Sequence, residues 1–370
     1  MSEPACRACG ARTGHLVLDL GLQPACDYFP RRDDAGADPE YPLQMWLCDR
    51  CGLAQLVADP TVPEEPRGAE PTALLAQADD AVGRVGRAGL LPEGARVAEF
   101  GSPHGGSWLD LLVGRGLKPV AAAESADVIV DCFGMMHAAD QAAAMAERAA
   151  RVAEGGVLLL QYHSLDTIIR YGQWNTLRHG HFAYYSTTAF VPLLAASGFS
   201  ARSVWRFPLY GGTLLLAARR DLDRVAAPDE SVRIQLDDDA RVGVRDPAVL
   251  RGLQRDAQAR AIGLREWLAA QRAAGRTVLG YGAASRAVAL LRSADIHSGL
   301  LPAIVDASPA KHGFRMPGTD IPIVSPAALA DRRPAAVVLF VADLRAEASQ
   351  AYPEVEAAGG RWVDADSFGQ

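Results

Sequence analysis

Val97-Ala98-Glu99-Phe100-Gly101-Ser102-Pro103-His104-Gly105-Gly106 is a short apolar run that ends in a glycine-rich turn, with a helical apolar period starting at Trp108. Backbone without a Cβ can approach a ligand closely, and the helix behind the turn offers unpaired N–H groups to it. Nineteen residues beyond Gly105, Glu124 ends the next strand, where a carboxylate can accept hydrogen bonds from both hydroxyls of a ribose. Glu99, Gly101, Gly105 and Glu124 are therefore the candidate cofactor contacts, and an adenosyl ligand suits them. A tight turn in any α/β domain would use similar glycines, and Pro103 removes one donor from the loop.

Outward from this turn the pattern alternates. A helix over Ala73–Ala88 precedes the strand Arg96–Phe100; a helix over Trp108–Arg115, strands at Pro119–Ala123 and Asp127–Cys132, a helix over Ala139–Val152 and a strand at Gly156–Gln161 follow. Such alternation predicts an α/β fold with a parallel, Rossmann-like sheet. A hairpin-like pair, Ala201–Pro208 and Gly212–Ala218, closes the unit. Asp221–Asp246 is charged and weakly patterned, and reads as a linker. Pro247–Ala274 has a long helical period, after which Thr277–Tyr281, the turn Gly282-Ala-Ala-Ser285 and strands at Ala303–Asp306, Ala335–Val341 and Arg361–Val363 make a second Rossmann-like unit. Three domains are expected: 1–62, 73–220 and 245–370.

The first of these owes its coherence to cysteine. Cys6-Arg-Ala-Cys9-Gly and Cys48-Asp-Arg-Cys51-Gly are two C-x-x-C turns, and together they supply four thiolates for one tetrahedral zinc ion. Four sulfur ligands leave no open position, so the zinc is expected to be structural. Cys26 and Cys132 read as small buried hydrophobes.

Over the 370 residues, 37 Lys+Arg face 44 Asp+Glu, a net charge of −7 with no basic block, which excludes a nucleic-acid binder of the usual kind. No apolar stretch approaches the roughly 20 residues that cross a bilayer, so no membrane span is expected. The start, Met-Ser-Glu-Pro-Ala-Cys, lacks the pattern of a signal peptide, and a reducing cytoplasmic setting is expected. Small molecules are the expected partners.

Several segments together resemble one family, the S-adenosylmethionine-dependent sugar C-methyltransferases of antibiotic biosynthesis. The cysteine knuckles with Asp19-Leu-Gly21 and Tyr41-Pro-Leu43 between them look like its zinc module. Glu99-Phe-Gly101-Ser102 is similar to its Glu-Ile-Gly-Ser methyl-donor turn, Asp127-Val-Ile-Val130 through His137 to its fourth strand and histidine, and Tyr210-Gly-Gly-Thr213 to its Tyr-Gly-Gly-Ser. The C-terminal match is the fullest: Tyr281-Gly-Ala283, Val305-Asp306-Ala-Ser-Pro309-Ala-Lys311-His-Gly313 and Pro317-Gly-Thr319-Asp-Ile-Pro322-Ile323. The resemblance implies that the three domains enclose a nucleotide-activated keto sugar, that a base removes a proton α to its carbonyl, and that the enolate carbon takes the donor methyl.

The resemblance also locates the catalytic candidates. Where the family has Tyr-His-Glu-His, this chain has Arg178-His179-Gly180-His181, so the tyrosine is Arg178 and the glutamate is Gly180. His181 is the candidate base, His137 its partner, and Arg178, a fixed cation with several donors, a stabiliser of the enolate oxygen. If the segment is extended, His179 and His181 face one cleft. Tyr281, Ser285 and Arg286, at a strand-to-helix turn, are the candidate contacts to the sugar nucleotide and its phosphates. Lys311 reads as a local ion-pair partner outside the core, and His163 carries no functional assignment. The segment Asp59–Ala78 lacks the family's tyrosine, and the chain passes from Glu124-Ser125 directly to Ala126-Asp127, omitting a helix and a strand of the donor domain. These departures keep two readings open beside methyl transfer: an epimerase- or isomerase-like enzyme that has lost the donor, and a non-catalytic relative that supports a protein partner.

Overall fold

A computed structural model describes residues 4–34, 36–61, 72–101, 106–121, 124–221, 226–341 and 344–369. Strands β1 (Gly14–Pro24), β2 (Glu40–Cys48) and β3 (Ala54–Leu56) precede the helix Thr72–Arg87. Next come β4 (Arg96–Phe100), β5 (Lys118–Pro119), β6 (Ala126–Cys132), β7 (Val152–His163), β8 (Ala183–Tyr184), β9 (Phe199–Phe207) and β10 (Thr213–Arg220). The last part of the chain holds β11 (Val278–Tyr281), β12 (Ile304–Val305), β13 (Ile323–Val324), β14 (Ala336–Leu339) and β15 (Arg361–Asp364).

These strands form three sheets, ordered β1-β2-β3-β8, β5-β4-β6-β7-β10-β9 and β13-β12-β11-β14-β15. The first is antiparallel and draws β8 from far along the chain. In the second, β5, β4, β6 and β7 run parallel, and β10 and β9 complete it as an antiparallel pair. The third is wholly parallel. β6 shows why a parallel centre forms here: Val128, Ile129 and Val130 are all buried, because helices cover both faces of the sheet. One of those helices, Gln141–Arg151, starts where the Asp140 carboxylate accepts from the Ala143 N–H at 2.9 Å, and sends buried Arg148 to Asp131 in β6 at 2.8 Å.

Two expectations need correction. Asp221–Asp246 is no simple linker: Glu230–Val242 is a helix that buries Val232, Gln235 and Asp239, three and four residues apart, against the helix Thr187–Ala196 and β9. Its charged residues masked that stripe, because one core-facing position is itself an aspartate. The Asp239 carboxylate accepts from the Thr188 N–H (2.8 Å), the Thr188 hydroxyl (3.0 Å) and the Gln235 amide (3.0 Å). The strand expected at Pro119–Ala123 is the two-residue β5, which forms the edge of its sheet among the described residues.

Candidate functional site

The metal centre is built by two turns that sit at the ends of β2 and beside β1. Gly10 N–H donates to the Cys6 carbonyl (2.9 Å) and Gly52 N–H to the Cys48 carbonyl (3.0 Å), closing both knuckles. The four sulfurs of Cys6, Cys9, Cys48 and Cys51 all lie within 4.8 Å of one another, with Cys6–Cys51 at 3.5 Å and Cys9–Cys48 at 3.6 Å. Four sulfurs at about 2.3 Å from a tetrahedral zinc stand somewhat under 4 Å apart, so the donor set and its spacing fit that ion. All four positions are filled by protein, and the site's task is to hold the fold.

The glycine-rich turn follows β4, whose neighbours are β5 on one side and β6 on the other. The strand order switches sides at β4, and open α/β sheets take their ligands beyond the carboxyl ends of the strands at such a switch point. Gly101 is exposed and a Cβ there would meet nothing within 4 Å, so the space beside the turn is open. Glu99 accepts from the Ser107 hydroxyl (2.6 Å) and the Trp108 N–H (3.0 Å), which ties the turn to the start of the helix Leu109–Val113. Glu124 is exposed just after β5. Gly105, with Ser102, Pro103 and His104, lies outside the described residues. Glu99 and Gly101 stand at the carboxyl end of β4, and Glu124 lies on the exposed stretch between β5 and β6.

A cavity of about 350 Å³ lies where the carboxyl ends of β6, β7 and β11 converge, bordered by Phe133, Met136, His163, Arg178, His181 and Arg286 among others. Arg178 spans it. Its Nε donates to His181 Nε2 at 2.8 Å, its Nη1 contacts the Ser285 hydroxyl at the head of the helix Ser285–Ser293, and its own N–H donates to the buried Tyr184 hydroxyl at 3.1 Å. His137 packs edge-on against His181, with ring centroids 4.6 Å apart. Burial and the nearby Arg178 charge push His137 down to about 4, while its hydrogen bond to the Gly180 backbone pulls the other way; the ring is neutral at pH 7.

The C-terminal turn completes the wall. Tyr281, Ser285 and Arg286 all border the cavity. Asp306, at the end of β12, accepts from Ala283 N–H and Ser308 N–H, both at 2.8 Å, and so fixes the turn. Tyr281 packs at a tilt against Tyr352 and edge-on against Trp362.

Three sequence expectations change here. His179 and His181 do not share a face, because Gly180 between them sits at φ +82°, left-handed rather than extended. His179 turns to the Pro42 carbonyl (3.4 Å) and the Tyr41 ring, away from the cavity. Lys311 is buried, with Nζ donating to the Ala283 carbonyl at 2.8 Å over the face of Phe29. His163, assigned nothing from the sequence, is buried and borders the cavity; burial, then the charge of Arg286, push it down to about 4. Its partner Gln173 lies ten residues along the chain, so no local motif announces the pair.

Comparison with known proteins finds matches at both ends of the chain. The family described as C-methyltransferase C-terminal domain matches residues 208–365, and a zinc binding domain family matches residues 6–64. C-methyltransferase NovU of Streptomyces niveus is 26% identical over 404 aligned residues, spanning 97% of this chain and 94% of that protein. Solved structures that resemble part of the chain include the N-methyltransferase NodS of Bradyrhizobium japonicum WM9, with S-adenosylhomocysteine (14% identity, 41% of this chain, 89% of that one, TM-score 0.30). Another is magnesium protoporphyrin IX methyltransferase of Synechocystis PCC 6803 (11% identity, 42% and 90% covered, TM-score 0.29). No helix among the described residues is long and apolar enough to cross a membrane. The chain thus matches a zinc binding domain family at one end and the C-methyltransferase C-terminal domain family at the other, and over nearly its whole length it is similar to a C-methyltransferase.

Proposed function

We propose that the protein methylates an enolisable carbon of a nucleotide-activated keto sugar. The observation that carries this reading is the meeting of Arg178, His181 and Ser285 on one cavity wall, with His137 packed on His181, between the six-stranded sheet and the parallel C-terminal sheet. Bound S-adenosylmethionine supplies an electrophilic methyl group. Glu99, Gly101 and Glu124 would hold it at the end of β4.

The remaining roles belong to the chain. An α-proton next to a carbonyl becomes removable when a base stands beside it and a cation faces the oxygen that turns negative. His181 is that base: the Arg178 Nε–H on Nε2 marks that nitrogen as a lone pair, not a donor. Arg178 then has two tasks. Its Nε–H holds the imidazole in place before the substrate arrives, and its guanidinium turns to the enolate oxygen as charge develops there. His137, neutral and packed on His181, orients the base. Arg286 and the N-terminus of the helix Ser285–Ser293 suit the diphosphate, as a cation and a set of N–H donors.

Calorimetric titration of the zinc-loaded protein with S-adenosylmethionine and with S-adenosylhomocysteine tests the donor half. Micromolar binding of both is expected, and Glu124→Ala should weaken it about tenfold or more through the lost ribose contacts. Absence of heat and of a thermal shift at millimolar ligand would remove methyl transfer.

A further inference from the structure

His163 is the last residue of β7, paired with Thr213 of β10. Its Nε2 stands 2.8 Å from Gln173 Oε1, and Gln173 Nε2 donates to the Tyr210 carbonyl at 3.1 Å. That second bond fixes the amide: the nitrogen must face Tyr210, so the oxygen must face His163. The proton of the neutral imidazole is therefore on Nε2, and Nδ1 carries a lone pair. Nδ1 is buried and has no hydrogen-bond partner among the described residues.

A buried acceptor without a donor is costly, and native folds rarely leave one. The ring borders the cavity, so a molecule seated there, with a small shift of the ring, is the nearest source of the missing donor. Its chemical type follows from the neighbours. Arg178, Arg286 and Lys311 border the same space with Asp306 and Glu347, so the wall keeps an excess of positive charge that disfavours an ammonium donor. The imidazole is also held neutral by burial and by Arg286, which suits it to accept a hydrogen bond and not a proton. A neutral O–H group meets these conditions.

We infer that His163 Nδ1 accepts a hydrogen bond from one sugar hydroxyl of the bound molecule, and so selects the hydroxylated ring over its deoxy counterpart. This rests on the cavity being the substrate site. Gln173 and the Tyr210 carbonyl are positioning groups, because they set the tautomer that leaves the Nδ1 lone pair without a partner.

The test uses full-length, zinc-loaded protein labelled with 15N-histidine, and as probes thymidine diphosphate glucose, the monodeoxy forms of its sugar, and thymidine diphosphate itself. Without ligand, His163 should show a protonated Nε2 and an unprotonated, pyridine-type Nδ1. Thymidine diphosphate glucose should move Nδ1 upfield. One deoxy form should leave it unmoved and bind about tenfold to a hundredfold more weakly. His163→Phe should bind that pair equally and thymidine diphosphate as the wild type does; His163→Gln, which keeps an acceptor and is the safer variant to fold, should retain part of the discrimination.

A protonated Nδ1 in the free protein overturns the inference outright. So does binding that moves His181 and His137 but not Nδ1, or an Nδ1 shift that is the same for every deoxy form, which would mean that water supplies the donor. Failure of every nucleotide to bind, with no histidine moved, overturns the substrate-site reading itself and the inference with it.

Discussion

At the scale of single residues, the catalytic candidates turn on one replacement. Arg178 occupies the position where the resemblance implies tyrosine, and it touches a base on one side and the C-terminal turn on the other. Arg178→Met should therefore lower kcat/KM about a hundredfold to a thousandfold, as loss of an oxyanion donor does, with Arg178→Lys in between because a point charge replaces a fork. An unchanged rate would free Arg178 from the chemistry. The histidines make a second prediction, on pH. His137 and His163 have an ordinary value of 6.5 and are held at about 4 in the fold. Between those values the unfolded chain takes up protons that the folded chain does not, so their contribution is whole above pH 6.5 and is lost as pH falls toward 4, by up to about 3 kcal/mol for each. Asp239 has the opposite sign: burial pushes it up to about 6, and its contribution is lost as pH rises from 3.8 through that value. Two groups oppose one, so the urea midpoint should drop between pH 7 and 4.5, and His163→Gln should flatten the drop. A midpoint that rises on acidification would refute this balance. The sequence made Arg178, His181 and His137 visible through their positions alone. His163 was invisible because what distinguishes it, an orphaned nitrogen, is a property of packing.

At the scale of elements, legibility followed periodicity. β4, β6 and the helix Gln141–Arg151 were readable within two residues, because continuous apolar runs and an Asp cap leave local marks. β8 was not, being two residues long and made a strand only by β3 beside it. The helix Glu230–Val242 was hidden by its own acidic residues. The turn Tyr210-Gly211-Gly212 shows what such local marks can mean. Tyr210 itself sits at φ +54°, strained for a residue with a side chain, and this aims its carbonyl at Gln173. Gly211 is at φ +76°, and a Cβ there would stand 2.5 Å from Gln173 Nε2. Gly211→Ala should cost about 1–3 kcal/mol in urea unfolding and push the Gln173 amide off the Tyr210 carbonyl. In 15N spectra His163 would then populate both tautomers; a single unchanged tautomer would show that the turn does not clamp the amide.

At the scale of the whole molecule, the zinc-bearing sheet is not an appendage. Leu18, Leu43 and Met45 from β1 and β2 share one core with Leu253, Leu264, Val278 and Ile304 of the C-terminal part. A buried pair reinforces the join: Arg315 grips both oxygens of Asp38 at 2.6 and 2.8 Å. On the other side β8 ties the same sheet to the segment that carries Arg178 and His181, and Gly180 N–H donates to the Asp59 carboxylate. Part of the cavity wall, the segment that carries Arg178 and Tyr184 and the turn at Ala283, therefore leans on the first sheet. Zinc binding is folding free energy for the module that holds it, so removing the ion must be felt wherever that module packs. Excess chelator should shift the whole unfolding transition downward rather than release a small separate one, and 15N-histidine signals of His181 and His137 should broaden although neither is a ligand. Cys48→Ser should reproduce the effect without chelator. If the main transition stays in place while only an early, minor one appears, the shared core does not couple the zinc site to the cavity, and the metal would serve its own knuckles alone.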